Sequence, residues 1–101
     1  MNTQQITNIL QNDQAIQQTF YGVYPIDKLP KITFKPAALI INLDTSKEPG
    51  SHWVCMYFDK RGSCEYFDSF GLKPRRKLIN FMNKYVTRIK INKKCFQQLL
   101  T

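Results

Sequence analysis

The sequence predicts one α+β domain in which a mixed sheet carries flanking helices. Two apolar runs, Ala38–Leu43, interrupted only by Asn42, and Trp53–Phe58, read as strands covered on both faces. A third strand signal, Cys64–Phe67, follows Asp59-Lys60-Arg61-Gly62, which reads as a hairpin loop. Then Leu78, Phe81, Met82 and Tyr85 fall at i, i+3, i+4 and i+7, the stripe of an amphipathic helix.

The remaining elements follow in order. Ile6, Ile9 and Leu10 fall at helical spacing behind a cap at Asn2 or Thr3, so a short helix is expected over about Thr3–Gln11. Nine of the first eighteen residues are Asn or Gln, a polar bias bordering on low complexity. From Phe20 to Pro36 the chain carries Gly22, Pro25, Pro30 and Pro36, which predicts an irregular wrapping segment. Its aromatics Phe20, Tyr21, Tyr24 and Phe34 are expected to pin it to the core. Pro74 is expected in the first turn of the striped helix, and Thr87–Ile91 alternates as a further strand. With 101 residues, residues 1–101 form a single domain with no linker or internal repeat.

Composition narrows the function. Hydrophobic residues make up 43% and charged residues 22%, the balance of a folded chain rather than a disordered tail. No apolar run reaches the ~18 residues of a membrane span, and the first residues lack the basic start and apolar stretch of a secretory signal. Three cysteines, an odd number without such a signal, predict free thiols in a reducing compartment. The expectation is an intracellular protein of cytoplasm or nucleus, with the virion as a further location once the resemblance below is considered.

The net charge of +8 is uneven. Residues 69–101 hold nine of the fifteen basic residues and no acid. Lys73, Arg75, Arg76 and Lys77 cluster at the start of the helix. Such asymmetry suits an anionic partner, DNA included, or simply a solvated basic face.

The one histidine, His52, stands just before the strand Trp53–Phe58, and Asp68 stands just past Phe67. If Tyr57 pairs with Ser63, His52 lies directly opposite Asp68, within reach of an imidazole–carboxylate hydrogen bond. That is the pairing of a general base with its orienting acid, and equally of a structural pair. No cysteine joins it as nucleophile. Cys55 is three residues from His52 and points to the other face. Cys64 reads as a small buried hydrophobe, and nothing places Cys95 near the pair. The cysteine and histidine spacing fits no metal site.

Pro49-Gly50-Ser51-His52-Trp53-Val54, followed by Tyr66-Phe67-Asp68-Ser69-Phe70-Gly71, resembles the His-Trp and (Asp/Glu)-x-Phe-Gly segments of adenain, the adenovirus-type cysteine endopeptidase. The wording is closest to proteases of Polinton (Maverick) transposons and related viruses, within the wider group that includes SUMO-specific proteases. The resemblance implies a papain-like or adenain-like sheet, with His52 as base and Asp68 as acid. It makes Gln97 the oxyanion-hole donor, with Gln98 as the one-residue alternative, and matches Thr101 to a small hydroxyl residue. The nucleophilic cysteine is then expected about three residues past Thr101, so the chain corresponds to the N-terminal portion of the protease, truncated before the nucleophile helix. By itself it is expected to be inactive, with the apolar face around Val54, Met56 and Phe58 uncovered.

The resemblance further implies a polypeptide substrate, with viral or transposon capsid precursors cleaved near small residues. It implies no cofactor beyond possible stimulation by DNA on Lys73, Arg75, Arg76 and Lys77. Trp53 either walls the substrate cleft or fills core beside the histidine. Two other functions fit the residues: a catalytically inactive pseudoprotease holding a peptide or ubiquitin-like tail, and a basic module binding DNA.

Overall fold

In the computed structural model of the protein, the described residues are 20–44 and 52–95. The expected helix over Thr3–Gln11 lies outside them. Five strands form a single mixed sheet: β1 (Phe20–Pro25), β2 (Ala37–Asn42), β3 (Trp53–Phe58), β4 (Ser63–Asp68) and β5 (Arg88–Ile91). Their spatial order is their chain order. β1 runs parallel to β2, β2 and β3 are antiparallel, β3 and β4 are antiparallel, and β5 runs parallel to β4. One helix, α1 (Arg76–Asn83), connects β4 to β5. This is an α+β chain.

Alternation along the strands divides the core between the two faces of the sheet. Leu39, Ile41, Val54, Met56, Phe58, Cys64 and Tyr66 share one face with Leu78, Phe81 and Met82 of α1. Phe58, Phe81 and Tyr85 meet edge to face, at centroid distances of 5.6 to 6.0 Å, the arrangement aromatic quadrupoles favour. Ala38, Ile40 and Cys55 form a second buried cluster on the other face, with Val23, Trp53, Tyr57 and Phe67 against it. Both faces of β2 are therefore dry over Ala37–Ile41, as that apolar run requires.

That packing corrects one expectation. Val54, Met56 and Phe58 are fully buried rather than uncovered, because α1 and the segment carrying Ile26 and Ile32 close over them. A second correction concerns residues 20–25, expected to be irregular. They form β1, in parallel register with β2, with Tyr21 bulged out between Phe20 and Gly22. Gly22 sits at φ +153°, where a Cβ would come within 2.8 Å of the Tyr24 hydroxyl. The glycine that reads as a strand breaker is what allows the bulge. Tyr21 and Tyr24 do pack on the core. Phe34 remains exposed, stacked on Tyr21 at 4.8 Å. The Phe20 side chain is outside the description.

Helix α1 begins two residues later than Pro74 suggests. Arg75 is its extended N-cap, and the Arg75 carbonyl accepts the first hydrogen bonds, from the Leu78 and Ile79 N–H groups. Proline, having no N–H to offer the helix, serves equally well just before the cap.

The cysteines give a third correction. Cys55 and Cys95 are joined by a disulfide, and Cys64 alone is a free, buried thiol. Sequence spacing could not reveal the pair, since forty residues separate the two and only the fold brings them together.

Candidate functional site

The candidate site lies at the end of the β3–β4 hairpin, on the face that α1 covers. The hairpin loop is Asp59–Gly62 as expected, but the register differs from the one predicted. Val54 pairs with Asp68, and Phe58 with Cys64, so the ladder is displaced by two residues. A displacement of two keeps every side chain on its face. His52 thus stays on the face of Asp68, as its diagonal neighbour rather than its direct partner.

The two side chains meet despite the shift. His52 Nε2 lies 2.8 Å from Asp68 Oδ1, and both residues are buried. Asp68 Oδ1 also accepts the Phe70 N–H at 2.7 Å, and the Asp68 carbonyl accepts the Gly71 N–H at 2.9 Å. These bonds close a turn over Asp68–Gly71, with Gly71 at φ +72°, a conformation glycine adopts without a steric cost. A carboxylate oxygen that accepts two N–H groups is held in place by the backbone as well as by the imidazole.

An ionised carboxylate only accepts hydrogen bonds, so the proton between the pair belongs to His52 Nε2. Nδ1 then carries the lone pair, and no described residue bonds to it. Chemically, this is an imidazole with one nitrogen oriented by an acid and the other open to take a proton.

Two neighbours were not singled out as site residues by sequence reasoning. The Phe70 ring stacks on the His52 imidazole at 4.1 Å with an interplanar angle of 16°, while remaining 63% exposed. Ser69 ties the strand ends together: its hydroxyl accepts the Trp53 N–H at 3.2 Å, and its own N–H donates to the Trp53 carbonyl at 3.1 Å. The observed register is the signal that would have found Phe70, because it sets position 70 opposite position 52.

The other predicted residues are spread more widely. Trp53 points to the second face, half-buried, 5.9 Å from the Phe67 ring. Lys73, Arg75, Arg76 and Lys77 are exposed on the approach to α1 and its first turn. Gln97, its alternative Gln98, and Thr101 lie outside the described residues.

None of the three cysteines can serve His52 from its place in the fold. The Cys55 and Cys95 sulfurs are bonded to each other. Cys64 shares the face of His52 but pairs with Phe58, six strand positions and roughly 20 Å away. Burial also pushes its thiol well above the ordinary range, the opposite of activation. Among the described residues, no group of three His, Cys, Asp or Glu could hold a metal ion, and no helix is long and apolar enough to cross a membrane.

Comparison with known proteins adds a chemical class. No family model matches the chain. A stretch of 48 residues, 45% of the chain, is 42% identical to a cysteine protease of African swine fever virus from a Malawi tick isolate, covering 18% of that protein. A protein of a warthog isolate of the same virus, named as a SUMO-1 cysteine protease, is 40% identical over 48 residues, with the same coverage. A protein of Acanthamoeba polyphaga mimivirus named as a thiol protease is 38% identical over 60 residues, 58% of this chain and 20% of its own. The matches span about a fifth of the length of these curated relatives. Part of the chain is thus homologous to viral cysteine proteases.

Proposed function

We propose that this chain supplies the base and acid of an adenain-like cysteine endopeptidase, with the nucleophilic cysteine carried by sequence beyond Thr101. The observation that supports the reading most is the buried 2.8 Å bond between His52 Nε2 and Asp68 Oδ1, with no described residue bonded to Nδ1. Similarity to viral cysteine proteases supports it independently.

In this reading His52 Nδ1 takes the thiol proton, and the thiolate attacks the scissile carbonyl carbon. The Gln97 amide donates to the oxygen on which negative charge develops. As the C–N bond breaks, the imidazolium returns its proton to the leaving amine, and a thioester remains. Water, deprotonated by the same imidazole, then releases the acid and the thiol. Asp68 keeps its proton balance throughout: it fixes the tautomer and stabilises the imidazolium. Trp53 packs on the far face of β3, against Phe67 and the Ala38, Ile40 and Cys55 cluster, so in this reading it fills core behind the histidine rather than walling the cleft.

Viral or transposon capsid precursors are the proposed substrates, and the exposed Lys73, Arg75, Arg76 and Lys77 suit stimulation by DNA. The test is to read the transcript past Thr101, express the extended protein, and assay cleavage of peptides with small residues at the scissile bond. The reading requires a Cys-Gly about three residues on and cleavage that His52→Ala abolishes. Cleavage unaffected by His52→Ala would refute it.

A further inference from the structure

The basic bias of the C-terminal third has a second location, away from His52. Between α1 and the segment that follows β1 lies a groove of about 570 Å³, within the range that holds a ligand or a short peptide. Its floor is apolar, built from Ile26, Leu29 and Phe81, while Lys31, Lys77 and Lys84 line it from both sides. Asp27 is the one acidic residue of its lining.

The walls are held in place before anything binds. The Tyr21 hydroxyl donates to the Lys31 carbonyl at 2.6 Å and lies 3.2 Å from the Thr33 hydroxyl. Lys35 Nζ donates to the Tyr85 carbonyl, tying the turn after α1 to the irregular segment just before β2. A preformed groove loses less conformational entropy on binding than one that must first be ordered.

One of these cations, Lys77, sits where helix electrostatics disfavours it. Lys77 is in the first turn of α1, which contains no acid, so it faces the positive end of the helix dipole. Lys84 follows it by seven positions, two turns along the same side. Three ammonium groups against one carboxylate, above an apolar floor, complement a ligand that is negative at its edges and apolar at its centre.

We propose that this groove binds an acidic peptide segment whose apolar side chain fills the floor over Ile26, Leu29 and Phe81, while its flanking carboxylates meet Lys31, Lys77 and Lys84. Nucleic acid would use the lysines and leave the apolar floor empty, so the floor favours the peptide. The inference is independent of the proposed protease activity, because it concerns binding alone and involves neither His52 nor Asp68.

The experiment is fluorescence anisotropy of the full chain with a labelled peptide, Asp-Glu-Leu-Phe-Glu-Asp. It is run beside the same peptide with Leu and Phe replaced by Ser, and beside a labelled 15-base-pair DNA duplex. Saturable binding of the first peptide is expected, weakened about tenfold by either Lys31→Glu or Lys84→Glu. The Ser-substituted peptide should bind at least tenfold more weakly. The exposed Lys90→Glu, on β5, serves as the control and should leave the affinity unchanged. Thermal unfolding of each variant separates lost binding from lost folding.

Equal affinity for the apolar and Ser-substituted peptides would overturn the proposal. So would tighter binding of the duplex that fails on the same two lysine variants, since the groove would then be a phosphate site. Absence of peptide binding to the folded chain would overturn it as well.

Discussion

The Phe70 ring lies flat on the imidazole of His52, 4.1 Å away and inclined by 16°. The Phe70 N–H donates to the same Asp68 oxygen that His52 Nε2 approaches. Residue 70 therefore restrains the pair twice, through its backbone and through its ring. One face of the imidazole is covered while the opposite face of the phenyl ring meets solvent. Phe70→Ala keeps the backbone bond and removes the ring, so a loss of about 0.5–1.5 kcal/mol is expected in urea unfolding. Because His52 is the only histidine, its ring protons give a clean NMR signal. They should move markedly in this variant as the ring current disappears, and an unchanged shift would contradict the stacking.

Asp68 is the next test, because its oxygen serves two donors. Asp68→Ala leaves the Phe70 N–H and a buried imidazole nitrogen without their partner, and a loss of about 2–3 kcal/mol is expected. Asp68→Asn retains an oxygen that can accept both bonds, and should cost less than half as much. Equal losses for the two variants, measured by urea unfolding, would mean that the hydrogen bonds do not hold this turn.

Thiol accounting checks the second face of the sheet. The native, unreduced protein should give no fast reaction with a chromogenic disulfide reagent, because Cys64 is buried and Cys55 is bonded to Cys95. One thiol per chain should appear in denaturant, and all three after reduction. Two or more thiols reacting in the native state would refute the pairing.

Alkaline pH should destabilise the fold. Burial, aided by the nearby Glu65 and Asp59 charges, pushes the Cys64 thiol above its ordinary value of 9.0. Burial, aided by the Asp68 charge, does the same to the Tyr66 phenol from 10.0. Folding therefore holds these protons more tightly than the unfolded chain does. Stability tied to them is complete below pH 9 and is lost as the pH rises through 9 and 10, where only the unfolded chain ionises. Urea midpoints measured at pH 7.5 and 10.5 should fall in that order. An unchanged or higher midpoint at pH 10.5 would contradict the burial.

The apolar runs made β2, β3 and β4 legible, and the stripe Leu78, Phe81, Met82 and Tyr85 did the same for α1, because burial leaves its period in the sequence. The His52–Asp68 pair was legible for a related reason. A hairpin register can slip by two residues without moving side chains off their face, and both registers leave 52 near 68. What escaped was whatever depends on contacts between distant segments. β1 was hidden because Gly22 and Pro25 read as breakers, while the parallel partner that makes a strand of them is β2. The Cys55–Cys95 bond was hidden because parity places Cys55 on the second face but says nothing of what crosses it. Phe70 belongs to the Asp-x-Phe-Gly motif, yet its place on the imidazole follows only from the observed register.

In the proposed function His52, oriented by Asp68, acts as a base toward a cysteine. The most direct measurement is the pH dependence of alkylation of that cysteine by iodoacetamide in the protein extended past Thr101, compared among the parent, His52→Gln and Asp68→Asn. The parent thiolate should react readily at pH 6. His52→Gln should shift the profile to that of an ordinary thiol, with a pKa of about 8.5, and slow labelling at pH 6 on the order of 100-fold. Asp68→Asn should fall between the two. Superimposable profiles for parent and His52→Gln would mean that His52 does not act as the base.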